Sequence, residues 1–384
     1  FLGICFNYFF YDKAPGISFP LYVGFILAGL FIIASKARAR LSPHIFWLAA
    51  PLIFFSAMVA ARASAFLTVL NIGASLLLLL LVAKLSLAGN IKNFVVTDYV
   101  RVLFLPFSFL RPLGETLSDI FASGGKREGK ALAWQIITGV LVALPFLVIF
   151  ALLFSSADLV FRAHLKKFID IKPEALPRLA VIVLASLAFI GAYSYIFGRK
   201  EDAWAQQSYK VPQLLGRVEM LVLLGSVNIL FLSFIVVQLA YLFGGENNIA
   251  VYGFTYAEYA RRGFFELIAA AAISFFLIWA VEQFAARKDG EHTAVFKTLA
   301  TALIIQVFII MYSASERLFL YEEAFGFTAL RFYSHAFIFL LAAIFLLLLY
   351  KIFIDKRENT FAFYIFLSLV LFLAIMNARN PDAW

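Results

Sequence analysis

Long apolar runs separated by short polar breaks set the pattern of this chain. About ten runs approach the twenty residues that a helix needs to cross a hydrocarbon core of about 30 Å. They cover about 17–35, 44–60, 64–86, 131–154, 177–197, 215–243, 257–284, 293–314, 328–353 and 359–377. Lipid offers no hydrogen bonds to a bare backbone, so runs of this kind form helices. The pattern predicts an all-α, polytopic integral membrane bundle of about ten transmembrane helices. An N-terminal membrane region, 1–130, would hold about three spans and a cytoplasmic amphipathic loop. A membrane domain, 131–384, would hold about seven. The first eleven residues are apolar but too short to span. They read as the tail of a truncated helix, since they lack the basic leader and cleavage site of a signal peptide.

Residues 94–110 (FVVTDYVRVLFLPFSFL) compete for an eleventh crossing. If Lys36, Arg38 and Arg40 face the cytoplasm and the sides then alternate, about 20 of the 32 lysines and arginines are cytoplasmic, as the positive-inside rule requires. A crossing at 94–110 would erase that excess. It would also bury Asp98 and Arg101 at roughly 3 kcal/mol each, and Pro106 would interrupt the helix. The stretch is therefore expected to lie in the cytoplasmic interface. Residues 114–130, with Gly124, Gly125, Lys126 and Arg127, are expected to form a solvated loop without a P-loop pattern.

Composition strengthens the membrane assignment. Hydrophobic residues make up 64% of the chain and charged residues 14%, against about 25% charged in a soluble domain. The net charge of +9 is explained by basic cytoplasmic loops facing anionic lipid. No basic stripe carries the interleaved stacking aromatics of a nucleic-acid binder. The single cysteine, Cys5, excludes an internal disulfide and every multi-cysteine zinc site. His44, His164, His292 and His335 lack metal-ligand spacing, so neither metal nor cofactor is expected.

Polar chemistry gathers in three segments that this topology places on the outer side. In 155–168, Ser155 or Ser156 can cap a short helix, Asp158 suits its first turn, and His164, Lys166 and Lys167 form a basic amphipathic stretch. In 255–266, Glu258, Arg262 and Glu266 recur every fourth residue and form one charged stripe on a helix, beside the aromatic belt of Tyr252, Tyr256 and Tyr259. In 312–335, Thr328, Arg331 and His335 share a helix face, Arg317 and Tyr321 stand four apart, and Gly326 permits a sharp reversal among Glu316, Glu322 and Glu323. Such a group could bind an anionic head-group through its arginines or a cation through its carboxylates. Each segment also has a purely structural account, as an ion-pair ladder or a hydrogen-bonded cap. Within the spans, Glu219 and Glu282 lie near cytoplasmic ends from which they can snorkel. Asn71, Asn228, Gln238 and Gln306 are deeper, where amides tie helices together.

The run ITGVLVALPFLVIFALLFSSADLVF, then TYAEYARRGFFELIAA and SASERLFLYEEAFGFTALR, in that order, resemble the bacterial membrane family catalogued as domain of unknown function 4173, close to the one numbered 4153. The resemblance covers about 137–350. Leu159 stands where the family often has a proline. It implies a multi-pass membrane fold without assigning an activity, and it marks Asp158, Tyr256, Arg262, Gly263, Phe264, Glu316, Arg317, Tyr321, Gly326, Thr328 and Arg331 as motif positions.

No HExxH, GxSxG, nucleotide loop or Asp-rich metal cluster is present, so no catalytic residue is assigned. The expected binding cluster comprises Asp158, Glu258, Arg262, Glu266, Glu316, Arg317, Tyr321, Arg331 and His335. The corresponding function is that of a bacterial inner-membrane protein, transporter-like or lipid-handling, whose partners are the bilayer and an anionic lipid or small molecule. The alternatives are a structural or sensory subunit without a ligand, and an enzyme acting on a lipid-linked substrate.

Overall fold

A computed structural model of the chain describes residues 1–87, 89–122, 150, 154, 158, 175–198, 215–242, 264–284 and 293–379. Among them every regular element is helical. In chain order the α-helices are α1 (Leu2–Phe10), α2 (Ser18–Lys36), α3 (His44–Ala61), α4 (Ala65–Leu85), α5 (Val96–Leu103), α6 (Leu105–Ser108) and α7 (Leu110–Ala122), with a short 3-10 turn at Ile91–Asn93 before α5. They continue as α8 (Ala175–Phe197), α9 (Arg217–Leu242), α10 (Phe264–Phe284), α11 (Ala294–Phe325), α12 (Ala329–Phe353) and α13 (Glu358–Arg379). Nine of the described helices, α2–α4 and α8–α13, are long and apolar enough to cross a membrane. The chain is a multi-pass membrane protein. The expected span at 131–154 lies outside the described residues, apart from Phe150 and Phe154.

The chain packs as two units. One comprises Phe1–Ile91 and Thr97–Ala205, the other Lys92–Val96 and Gln206–Trp384. In the first, neighbouring helices meet where side chains are small, the usual solution where lipid is as apolar as the helix surface. Gly3 of α1 lies directly against Ser186 of α8. Gly29 of α2 admits the Tyr193 hydroxyl, which donates to the Ile26 carbonyl at 2.7 Å. Gly191 of α8 faces the Phe109 carbonyl and Leu113.

The competing stretch at 94–110 does not form one continuous span. It is broken into α5, α6 and the start of α7, with Pro106 in the first turn of α6, where a missing N–H costs nothing. Val102 and Leu105 are buried, whereas Val100, Leu103, Phe104, Phe107 and Leu110 are exposed. Asp98 and Arg101 pair at 3.5 Å on the exposed surface. The expectation of a loop from 114 onward is corrected as far as Ala122. That segment is helical, and Thr116 donates a hydrogen bond to Ser194 of α8 at 2.8 Å.

In the second unit α11 is the hub. Phe296, Ala300, Leu303, Val307, Ile310 and Ala314 recur at three- and four-residue steps and are at most 2% exposed. That stripe packs with residues of α9, α10 and α12. Asn228 of α9 donates to the α11 carbonyl of Leu299 at 3.2 Å, an amide tie of the expected kind. One expected boundary was wrong. The run at 293–314 continues as helix to Phe325, so α11 is about 48 Å long, well beyond the hydrocarbon thickness. The apolar pattern fades after Ser313, but Ala, Glu, Leu and Arg in SASERLFLYEEAF are good helix formers and sustain the helix without it.

Candidate functional site

The α11–α12 hairpin gathers buried charge at one end of the second unit. Gly326 adopts φ 77°, ψ 174°, a backbone shape that favours glycine, and reverses the chain. Thr328 is extended and acts as the N-cap residue, so α12 starts one residue after it. Arg331 and His335 then lie one turn apart on the α12 face toward α11. The Arg331 guanidinium sits over the Tyr321 ring, 4.3 Å from its centre. The His335 ring lies 4.6 Å from that of Phe319. His335 Nε2 is 3.2 Å from Glu322 Oε1, close enough for an ion pair when the imidazole is protonated, although the angles are not those of a hydrogen bond.

Arg331 is 9% exposed, yet its Nη1 has no hydrogen-bond partner among the described residues. Stacking on a tyrosine face compensates a guanidinium only in part. A buried donor left unsatisfied costs on the order of 1–3 kcal/mol, and more when charged. Charged groups confined within a membrane bundle commonly mark sites of function.

The expected site residues separate into three groups. Tyr321, Arg331 and His335 come together, joined by Glu322, which the sequence placed in the loop without assigning it to the cluster. Glu316 accepts a hydrogen bond from the Tyr312 hydroxyl one turn earlier on α11. Arg317 is half-buried on the same helix. Glu266 is exposed in the first turn of α10. The Phe275–Phe345 and Glu282–Lys351 contacts show that α10 runs parallel to α12, which puts Glu266 at the Arg331 end. Asp158 is exposed in the first unit, its amide bonded to the Phe154 carbonyl at 2.9 Å. Glu258 and Arg262 lie outside the described residues, as do Ser155, Ser156 and the remainder of the expected ladder.

A second charged group, at the opposite end of α12, was missed. Lys351 Nζ is 2.5 Å from Glu282 Oε2, and both residues are almost fully buried. Gln283 donates to the same oxygen at 3.1 Å, and the Phe361 ring lies 5.0 Å from the ammonium. The expectation that Glu282 snorkels to the interface is thereby corrected, because it turns inward to a lysine two helices away in sequence. Opposite charges at the same end of parallel spans were the available signal. Just beyond, Asp355 takes two hydrogen bonds from the Arg357 side chain, each 2.9 Å long. These, helped by a bond from the Arg357 amide, hold its carboxyl down at about 2. This Asp355–Arg357 clamp closes the turn into α13. Asn359, at the start of α13, donates to the Lys92 carbonyl at 3.0 Å. Lys92, Arg217, Lys297, Lys356 and Arg357 thus accompany the Lys351 end, whereas Arg317, Arg331 and Arg379 accompany the other.

Among the described residues no group of three His, Cys, Asp or Glu side chains is arranged to hold a metal ion. The family model described as "Domain of unknown function (DUF4153)" matches residues 49–384, a span that takes in most of α3 and every later element. No curated protein and no solved structure matches the chain.

Proposed function

The chain belongs to the DUF4153 family, and from that premise we propose that it handles a polar ligand at the α11–α12 hairpin, in the manner of a transporter or a lipid-handling protein. The reading includes the kinship with family 4173 suggested by the motif order. It also includes a bacterial inner membrane, with the hairpin on the extracytoplasmic side, because the Lys351 end carries the larger share of basic residues.

One observation carries the reading. Arg331 is buried at the head of a membrane helix with a donor that nothing in the described protein uses. His335 and Glu322 beside it are paired by distance but not hydrogen-bonded, so they too can turn to an incoming group. The proposed role needs no covalent chemistry, because the cluster offers recognition groups without an activated nucleophile.

Native mass spectrometry of the full chain released from lipid nanodiscs tests this. The expected result is a retained lipid or small-molecule mass on the wild type that is lost in Tyr321→Ala and His335→Ala while melting temperatures hold within a few degrees. Bare wild-type protein, together with variants that unfold, would instead identify the cluster as a helix cap.

A further inference from the structure

Resting on that reading, we propose that the hairpin site takes a phosphate-type oxyanion, held between the open N-terminus of α12 and the Arg331 guanidinium. Two independent features converge there. The first is the helix end. The Thr328 side chain makes no capping bond, and the first turn of α12 contains no acidic residue. The Arg331 and Phe332 amides bond the Thr328 carbonyl, at 3.0 and 3.1 Å. The amides of Ala329 and Leu330 precede any carbonyl their own helix can offer. Such an end carries partial positive charge and points N–H groups outward, which suits a tetrahedral anion.

The second feature is Arg331 itself. Arg331 is the third residue of α12 and stands in that first turn itself, and side chains of a helix lean toward its N-terminus. Tyr321 holds the plane from below, and Nη1 is unbonded among the described residues. A planar fork with a spare donor matches two oxygens of a phosphate group. The adjacent carboxylates do not reverse the preference for an anion. Glu322 lies against His335, one turn deeper along α12, and Glu316 receives the Tyr312 hydroxyl. Glu323 is exposed. A cation site would need those carboxylates to converge, and they point to separate partners. The same chemistry could be presented by the phosphate of an anionic lipid or by a soluble phosphate ester.

The test uses the whole protein in nanodiscs. Binding is measured to inorganic phosphate with a zwitterionic lipid, and separately to phosphatidylglycerol exchanged into the disc. Arg331→Ala should weaken whichever probe binds by about tenfold or more, the loss expected for a charge-assisted hydrogen bond. Thr328→Asp guards against misfolding. An aspartate caps the free amides and strengthens the helix, so this variant should melt no lower than wild type while losing the anion just as fully. Loss with phosphatidylglycerol alone would identify a lipid source, and loss with phosphate alone a soluble one. If both variants bind both probes within twofold of wild type, the oxyanion assignment is wrong. The polar site would still stand if Arg331→Ala or Thr328→Asp then altered the binding of calcium or spermidine. Unchanged binding of all four probes would remove both.

Discussion

Two arginine- and lysine-centred clusters sit at opposite ends of α12 and differ in one respect that decides their roles. Lys351 is satisfied, by the Glu282 carboxylate with Gln283 and Phe361 around it. Arg331 is not. A buried, satisfied pair contributes little net stability but is severe to break, because removing one partner strands the other charge. Lys351→Met or Glu282→Gln alone should therefore destabilise by about 3–5 kcal/mol. The double substitution should recover most of that loss. Reversible unfolding in mixed micelles measures all three, and additive penalties would show that the two side chains do not act as a pair. From sequence, the only cue joining the two partners was their opposite charge at the same end of parallel spans. A helix that is apolar all round gives no periodic cue to which face meets a neighbour, so Glu282 read as a snorkelling end residue. Arg331 was legible because it shares a spacing with His335 and lies beside a glycine reversal.

At the scale of elements, the nine described spans were readable to within a few residues at most of their described ends, because hydrocarbon thickness fixes their length. The exceptions are instructive. The α11 extension escaped hydropathy because its last turns are helical without being uniformly apolar. The α7 helix escaped because a polar, glycine-containing segment reads as loop unless its partner is known. That partner is α8 at Gly191, where a Cβ would lie 2.9 Å from the Phe109 carbonyl, a backbone atom with little room to yield. Gly191→Val should separate the two helices and cost about 1–3 kcal/mol, as overpacking does. Gly24→Val makes a fair control, since no atom lies within 4 Å of a Cβ there. Comparison of the two melting curves checks this, and equal loss in both would indicate a backbone effect unrelated to the α7–α8 contact.

For the whole molecule, the fold class was legible from composition and run length alone, and the candidate site only in part. Charge spacing singled out the hairpin residues, but it could not say that Tyr321 underlies Arg331 while Glu316 turns back along its own helix. The second unit brings the beginnings of α10 and α12 and the end of α11 to one side, with basic residues concentrated on the other. If that side faces outward, the Arg331 cluster lies at the end of the bundle nearest the outside of the cell. The placement can be read directly by replacing Cys5 with alanine, which removes the only cysteine, and adding single cysteines at the exposed positions Glu323 and Lys356. A membrane-impermeant maleimide applied to intact cells should label Glu323→Cys and reach Lys356→Cys only after permeabilisation. The reverse order would put the Arg331 cluster on the cytoplasmic side and contradict the account.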